Sequence, residues 1–282
     1  MSRHPLLAYF LLTYSITWGL AACLALFPER LAALFGEISL SNPLVLIAVY
    51  APSLSALAVT GITGGAAGIR DLLSRLLRWR VGVRWYLTVF LGIPALGLGA
   101  AVLNCWLSGQ PLKLGLGYSE LALYPLLTSL VTDPGPLGEE LGWRGFALPR
   151  LLQSRNAFSA SVILGLVWGL WHLPAFFISG LPQNQLSIPA FLVGGTSLTL
   201  LMTWVYQHTQ GSVLLAVLIH WLSNLCSDLA PLPVMSGVFA MAALIVVAVN
   251  GPAHLSRAQS KSSDARKDLV VTPRHHKPNM TP

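Results

Sequence analysis

The stretch FSASVILGLVWGLWHLPAFFI, residues 158–178, is long enough and apolar enough to cross a lipid bilayer. A transmembrane helix needs about 20 predominantly apolar residues, and this stretch contains no lysine, arginine, aspartate or glutamate. Its one ionisable side chain is that of His172. Ionisable groups at membrane depth are costly, so they usually face a partner or a cavity and carry function. The stretch therefore predicts a membrane protein with a functional site inside its helix bundle.

The rest of the chain has the same character, because 54% of its 282 residues are hydrophobic and 10% are charged. This composition is too apolar for an ordinary soluble domain. The other apolar stretches are Leu6–Phe27, Leu44–Thr63, Trp85–Leu107, Ser119–Val131, Ile188–Tyr206, Ser212–Cys226 and Val234–Val249. We therefore predict an all-α polytopic membrane protein with about eight transmembrane helices around an intramembrane cavity.

Basic residues cluster in alternate connections between these spans, which sets the orientation of the chain by the positive-inside rule. Arginines crowd residues 70–84 and 144–155, and arginines and lysines fill residues 257–277. The other connections carry little besides Arg30 and Lys113. We expect a multi-pass protein of the plasma membrane with both termini in the cytoplasm. A nucleic-acid partner is not needed to explain the net charge of +7, since the charges lie beside spans.

The composition changes near the end of the chain. Residues 1–250 carry the spans, whereas Ser, Lys, Arg and Pro replace the apolar runs from Gly251 onward. A segment of this composition cannot bury enough apolar surface to fold. We therefore predict one transmembrane domain over residues 1–250 and a basic, disordered cytoplasmic tail over residues 251–282.

A pair of glutamates follows a segment rich in proline and glycine. Residues 133–138 read DPGPLG and predict irregular backbone, which at membrane depth requires a cavity or protein partners. Arg144 lies one helical turn after Glu140, so these two side chains can neutralise each other. Glu139 then stays unpaired, which suits a general base. The alternative is that both glutamates pair with arginines at the membrane interface.

The span that contains His172 has two further features. Trp168 lies one helical turn before the histidine and can wall its imidazole. Gly165 and Gly169 form a small-residue face that allows another helix to approach closely. Taken alone, a histidine on an apolar helix is more often a packed core residue, so the case depends on the other motifs.

His220 and Asn224 repeat the one-turn spacing on a later span. A glutamate and a histidine can deprotonate a water, while a second histidine and an asparagine amide can donate hydrogen bonds to an oxyanion. These are the groups that amide hydrolysis requires. The chain has no GxSxG motif and no serine or cysteine with an evident base partner, which disfavours a nucleophilic mechanism. It has no HExxH motif either, although Glu139, His172 and His220 could supply three zinc ligands.

These motifs resemble the CPBP (Abi) family, the CAAX-protease and bacteriocin-processing group of intramembrane glutamic endopeptidases related to the Rce1-type prenyl-protein protease. The EExxxR motif of the family matches residues 139–144, its aromatic-xxx-His motif matches residues 168–172 and its HxxxN motif matches residues 220–224. The matches cover a motif core of roughly residues 137–224. The second motif has Trp where the family often has Phe, and the approach to Glu139 is rich in proline.

The resemblance implies a CAAX-type intramembrane endopeptidase that cleaves a peptide or membrane-protein substrate within the lipid bilayer and requires no metal or other cofactor. It implies eight helices around a conical cavity that opens toward the cytoplasm and lipid. The resemblance does not imply prenylated substrates. Prenylated CAAX proteins are eukaryotic, whereas this compact chain is typical of a bacterial protein. The resemblance assigns roles to seven residues: Glu139 as the base, His172 as its assistant, His220 and Asn224 as stabilisers of the oxyanion, and Glu140, Arg144 and Trp168 as supports.

Three alternatives stay open. The chain could be a non-proteolytic membrane scaffold or a bacteriocin-immunity protein, in which the polar cluster only binds a peptide. It could be a zinc-dependent membrane protease. It could also be a small transporter that uses Glu139 and the histidines as a proton relay, although the two halves of the sequence show no repeat symmetry.

Overall fold

The computed structural model of the chain describes residues 4–112, 128–130, 132–253 and 255. Every regular element in this part of the chain is a helix, which confirms the predicted all-α class. The helices are α1 (Pro5–Leu26), α2 (Pro28–Phe35), α3 (Pro43–Ser74), α4 (Val83–Leu87), α5 (Ile93–Ser108), α6 (Pro134–Glu140), α7 (Leu148–Leu151), α8 (Ala157–Trp171), α9 (Ile188–His208), α10 (Val213–Leu225) and α11 (Leu232–Asn250). Two π-helical segments, Thr88–Gly92 and Leu141–Ala147, join α4 to α5 and α6 to α7.

Six runs of helix in the described residues are long and apolar enough to cross a membrane. They are Pro5–Leu26, Pro43–Ser74, Val83–Ser108, Ala157–Phe177, Ile188–His208 and Leu232–Asn250. The shorter apolar run Val213–Leu229 includes α10. Each of these coincides with a predicted span. Most of the predicted span Ser119–Val131 lies outside the described residues, so the count of eight spans stays a prediction. Most of the predicted tail also lies outside them, so its disorder stays a prediction.

Helix α3 extends beyond its predicted span because the chain turns within it. Gly65 has φ 58°, in the left-handed region that favours glycine. After this turn the second arm of α3 packs back onto the first, and a Cβ on Gly68 would lie 3.0 Å from Cγ2 of Thr60. The arginine-rich residues after α3 then contact the segment before α10, where the Ser212 hydroxyl donates to the backbone oxygen of Arg78 at 2.8 Å.

Helix α6 begins where the sequence predicted irregular backbone. Asp133 caps this helix, since its Oδ1 accepts a hydrogen bond from the Gly135 N–H at 3.1 Å. Pro134 and Pro136 occupy the first turn, where a backbone N–H has no partner within the helix and its absence costs little. The prediction for residues 133–138 is therefore wrong. The departure from α-helical geometry comes later, in the π-helical segment after α6.

The π-helical segment Leu141–Ala147 lies in the centre of the bundle. Trp143 and Phe146 are fully buried there. Their aromatic rings pack against the ring of Tyr9 in α1, with centroids 5.6 and 4.9 Å away, respectively. Because this segment is fixed in the core, the glutamates at the end of α6 are held in the protein interior.

Helices α8 and α9 pack closely through the predicted small-residue face. A Cβ on Gly165 would lie 2.6 Å from the Cα of Thr196, and a Cβ on Gly169 would lie 2.6 Å from Cδ2 of Leu192. The predicted close approach of another helix is therefore confirmed. It holds the end of α8 that carries Trp168 against α9.

We expect the Gly165→Ala substitution to destabilise the fold by about 1–3 kcal/mol, the usual cost of overpacking a close contact. The added methyl group would meet backbone atoms of α9, which cannot move aside as a flexible side chain can. Gly99→Ala in α5 is the matched control, because a Cβ there has nothing within 4 Å. The measurement is the free energy of unfolding in detergent. Equal values for the two variants would contradict the close packing.

Candidate active site

A cavity of about 550 Å³ lies among the helices, and most of its wall is apolar. The polar side chains that line it include those of Glu139, His172, His220 and Asn224, which come from three different segments. The structure thus brings the four predicted catalytic residues to one cavity. Their roles in a reaction remain predictions.

Glu139 lies at the end of α6 and is 4% exposed. Its Oε2 accepts a hydrogen bond of 2.5 Å from the indole Nε1–H of Trp168. Its Oε1 lies 4.0 Å from Nε2 of His172. The indole therefore fixes one carboxylate oxygen and leaves the other directed toward the histidine. Trp168 was predicted only to wall the imidazole, and its bond to Glu139 joins residues 29 positions apart.

His172 follows the last residue of α8 and has a defined tautomer when neutral. Its Nδ1 lies 2.9 Å from the backbone oxygen of Trp168. A carbonyl oxygen can only accept a hydrogen bond, so Nδ1 carries the proton and Nε2 carries a lone pair. The ring also packs edge-on against Trp168 and Phe191, with centroids 5.2 and 5.0 Å away, respectively. His172 therefore presents a proton acceptor toward Glu139.

Glu140 forms the predicted ion pair with Arg144, and both side chains are fully buried. The Nη1 of Arg144 donates to Oε1 of Glu140 at 2.9 Å, and Nδ1 of His220 lies 2.8 Å from the same oxygen. The pairing prediction is confirmed. Glu139 bonds Trp168 instead of an arginine, so the alternative in which both glutamates pair with arginines is wrong.

Arg144 links the two glutamate clusters. Its Nη2 donates to the Oγ1 of Thr199 at 2.9 Å, and its guanidinium lies 4.9 Å from the ring centroid of Trp168. A guanidinium over an indole face is a favourable cation–π contact. Sequence analysis missed Thr199, whose only signal is a hydroxyl within an apolar span.

His220 faces the cavity with the nitrogen that does not contact Glu140. A Cβ on Gly135 would lie 3.4 Å from His220 Nε2 and 3.3 Å from Glu139 Oε1. Both atoms therefore border the same small volume. A side chain at position 135 would enter this volume, and glycine leaves it open. Sequence analysis did not identify Gly135, since nothing in the local pattern places it beside a histidine 85 residues away.

Asn224 is tied to the beginning of α6. Its Nδ2 donates a hydrogen bond of 2.8 Å to Oδ2 of Asp133, the residue that caps the helix. Asp133 was not a predicted site residue. The available signal was an aspartate directly before a proline, which is typical of a helix N-cap. One carboxylate therefore holds both the helix that carries Glu139 and the amide of Asn224.

A three-ligand metal cluster is not found in the part of the chain that the structure describes, where His, Cys, Asp and Glu were considered as ligands. The zinc alternative, with Glu139, His172 and His220 as ligands, stays a hypothesis that chelation tests.

The chain is similar to known proteins over the region of this site. A family model described as type II CAAX prenyl endopeptidase Rce1-like matches residues 120–226. This range contains all seven predicted site residues. The chain is also 26% identical over 189 residues to CAAX prenyl protease 2 of Methanococcus maripaludis, which covers 64% of this chain and 69% of that protein. Both similarities agree with the family resemblance that the motifs indicate.

Proposed function

We propose that this chain is a member of the Rce1-like family of type II CAAX prenyl endopeptidases, whose model matches residues 120–226. In this proposal it cleaves peptide bonds inside the membrane with an activated water. The observation that carries the mechanism is the gap of 4.0 Å between Glu139 Oε1 and His172 Nε2. This gap is too long for a direct hydrogen bond. One water molecule between the two atoms could bond to both.

In the first step, the Glu139 carboxylate accepts a proton from this water. His172 Nε2 accepts a hydrogen bond from the other water hydrogen and so orients the oxygen. The water oxygen adds to the carbonyl carbon of the scissile peptide bond, and the electrons of the carbonyl double bond move to its oxygen. The product is a tetrahedral intermediate with an oxyanion, and Glu139 is protonated.

His220 and Asn224 stabilise the oxyanion in this scheme. His220 donates from Nε2 when its ring is protonated, and the Glu140 carboxylate beside Nδ1 stabilises that cation. Asn224 has two N–H groups, of which one bonds Asp133 and the other is directed to substrate. Asp133, which accepts this bond, positions the amide and does not touch the reacting atoms.

In the second step, protonated Glu139 gives its proton to the nitrogen of the leaving amine. The bond between carbon and nitrogen breaks as the oxyanion electrons re-form the carbonyl. The products are a carboxylic acid and an amine, and Glu139 returns to the carboxylate. The cycle is therefore balanced with one water consumed, and no cofactor enters it.

We propose that the catalytic domain comprises residues 1–250 and lies in the plasma membrane with both termini in the cytoplasm. The arginines after α3 and before α8 support this orientation, because the positive-inside rule places them on the cytoplasmic side. The basic residues between Arg257 and Lys277 have the same effect for the C-terminus.

The test compares newly formed peptide termini across all proteins in membranes that contain the wild-type chain or its Glu139→Ala variant at equal expression. Termini that depend on Glu139 would support the protease and identify its substrates. Glu29→Ala in the exposed helix α2 is the matched control and is expected to resemble the wild type. The scaffold would be favoured if wild type and Glu139→Ala gave identical termini and if both proteins also rescued the phenotype of cells from which the gene is deleted.

Gly135→Ala is expected to lower kcat about 10- to 100-fold while leaving the fold intact, since small misplacements of reacting groups have effects of this size. The methyl group would occupy the volume between Glu139 Oε1 and His220 Nε2 without meeting any backbone atom within 3.4 Å. Gly99→Ala, with open space around its Cβ, is the control. Single-turnover cleavage and unfolding free energy are measured for both variants. Full activity of Gly135→Ala would show that this volume is not used by the reacting groups.

A further inference from the structure

Apart from the buried Glu139, Glu140 and Arg144, the charged residues of the described chain lie toward the two ends of the helix bundle. One end of the bundle carries seven arginines, which we call the arginine end: Arg70, Arg75, Arg78, Arg80, Arg84, Arg150 and Arg155. Backbone hydrogen bonds join the segments at this end. The N–H of Val213, the first residue of α10, donates to the backbone oxygen of Arg75 at 3.0 Å. The N–H of Ala157 likewise donates to the oxygen of Ala253 at 2.9 Å. The starts of α8 and α10 and the end of α11 therefore lie together at this end.

The cavity lies at the opposite ends of the same helices. In α10, Val213 is at the arginine end, whereas His220 and Asn224 line the cavity. In α8, the first residue Ala157 is at the arginine end, whereas His172 follows the last residue and lines the cavity. The cavity is therefore in the half of the bundle remote from the arginines.

The other helices give the same placement. The cavity is lined by the last turns of α1, by the first turns of α3, α9 and α11, and by the loop between α8 and α9. The residues that represent these segments are Ala21, Leu24, Val45, Ala48, Leu181, Gln183, Phe191, Gly194, Leu232 and Met235. None of the seven arginines of the arginine end lines the cavity.

The cavity end has the opposite charge balance. In the described residues it carries one arginine, Arg30, against four carboxylates, those of Glu29, Glu37, Asp133 and Asp228. Each lysine or arginine near an anionic cytoplasmic leaflet contributes about 1 kcal/mol of attraction. Seven arginines against one therefore favour one orientation strongly. Six more basic residues lie between Arg257 and Lys277, after α11 in the sequence. By the positive-inside rule they favour the same orientation.

We propose that the catalytic cavity faces the non-cytoplasmic side of the membrane and takes apolar peptide segments of exported or membrane-anchored proteins presented from that side. This inference rests on the proposed endopeptidase function for its substrate, and on the placement of the cavity for its orientation. It differs from the expectation, drawn from the family resemblance, of a cavity that opens toward the cytoplasm. The positive-inside orientation and a cytoplasmic cavity cannot both hold in this fold.

The walls of the cavity end support this class of substrate. The cavity that contains Glu139 is also lined by apolar side chains such as Ile178, Phe191 and Phe239, which suit an apolar peptide segment. A second cavity adjoins it through Thr132 and Pro134, and its lining includes the polar residues Ser39, Ser41, Asn184 and Gln185. These polar side chains lie at the cavity end of the bundle, beside the site.

The test of orientation is cysteine labelling in intact cells that express the full chain. The native cysteines Cys23, Cys105 and Cys226 are replaced by alanine. A single cysteine is then introduced by Gln185→Cys at the cavity end or by Gln153→Cys at the arginine end. Both glutamines are exposed and neither belongs to the catalytic machinery, so the pair is matched. A membrane-impermeant maleimide is added before or after permeabilisation.

We expect Gln185→Cys to be labelled in intact cells and Gln153→Cys to be labelled only after permeabilisation. Any other pattern, including equal labelling of both in intact cells, overturns the proposed orientation. Labelling does not depend on proteolysis, so it reports orientation even if the Glu139→Ala comparison finds no cleavage. With the orientation supported, Glu139-dependent termini should lie in non-cytoplasmic segments. Termini confined to cytoplasmic segments would overturn the proposed substrate class.

Discussion

Glu139→Gln is expected to lower kcat by about 10²- to 10⁴-fold, the usual contribution of a general base. The amide has nearly the same shape as the carboxylate, and its oxygen can still accept the hydrogen bond from the Trp168 indole. It cannot accept a proton from water at neutral pH. Substrate binding should change little, so the loss should appear in kcat and not in KM. The measurement is cleavage of a substrate found by the terminus comparison, with purified protein in lipid.

The control for this substitution is Glu29→Gln, a carboxylate on the exposed helix α2 that does not line the cavity. It should retain wild-type kcat. A fully active Glu139→Gln enzyme would remove Glu139 from the role of base. Chelators should leave the wild-type rate unchanged, and a rate that falls on chelation and returns with zinc would instead support the zinc-dependent alternative.

Local spacing in the sequence was sufficient for part of this site. The ion pair between Glu140 and Arg144 follows from a separation of four residues on one helix, which places the two side chains on the same face. The small-residue face of Gly165 and Gly169 likewise predicted a close helix contact, and α9 provides it. Apolar length alone located the described spans to within a few residues at most ends, because a bilayer imposes one length on all of them.

Contacts between distant residues could not be predicted in this way. His220 meets Glu140 across 80 positions, and Asn224 meets Asp133 across 91. No periodicity relates such pairs, since they depend on how the helices pack. The error at residues 133–138 has a different cause. Pro134 was treated as a helix breaker, but at the first position of a helix proline has no hydrogen bond to remove.

Glu140→Gln is expected to reduce the free energy of unfolding by about 3–5 kcal/mol, the usual cost of leaving one partner of a buried ion pair uncompensated. Glu140 and Arg144 are both 0% exposed, so water cannot reach the guanidinium and solvate its unbalanced charge. The amide oxygen can still accept hydrogen bonds from Arg144 and His220, but it no longer balances the guanidinium charge. The variant should also lose activity, because the neutral amide no longer stabilises the protonated His220 ring that donates to the oxyanion. Unfolding in detergent followed by tryptophan fluorescence measures the change.

The matched control is Asp71→Asn, which breaks the exposed pair of Asp71 and Arg75 at the same four-residue spacing. Exposed pairs contribute about 0–1 kcal/mol, so this variant should be close to wild type. The double variant Glu140→Gln/Arg144→Met removes the unpaired charge and should be more stable than Glu140→Gln alone. Equal costs for the buried and the exposed pair would contradict the burial of this site. A double variant no more stable than the single one would show that shape, and not charge, limits stability at Glu140.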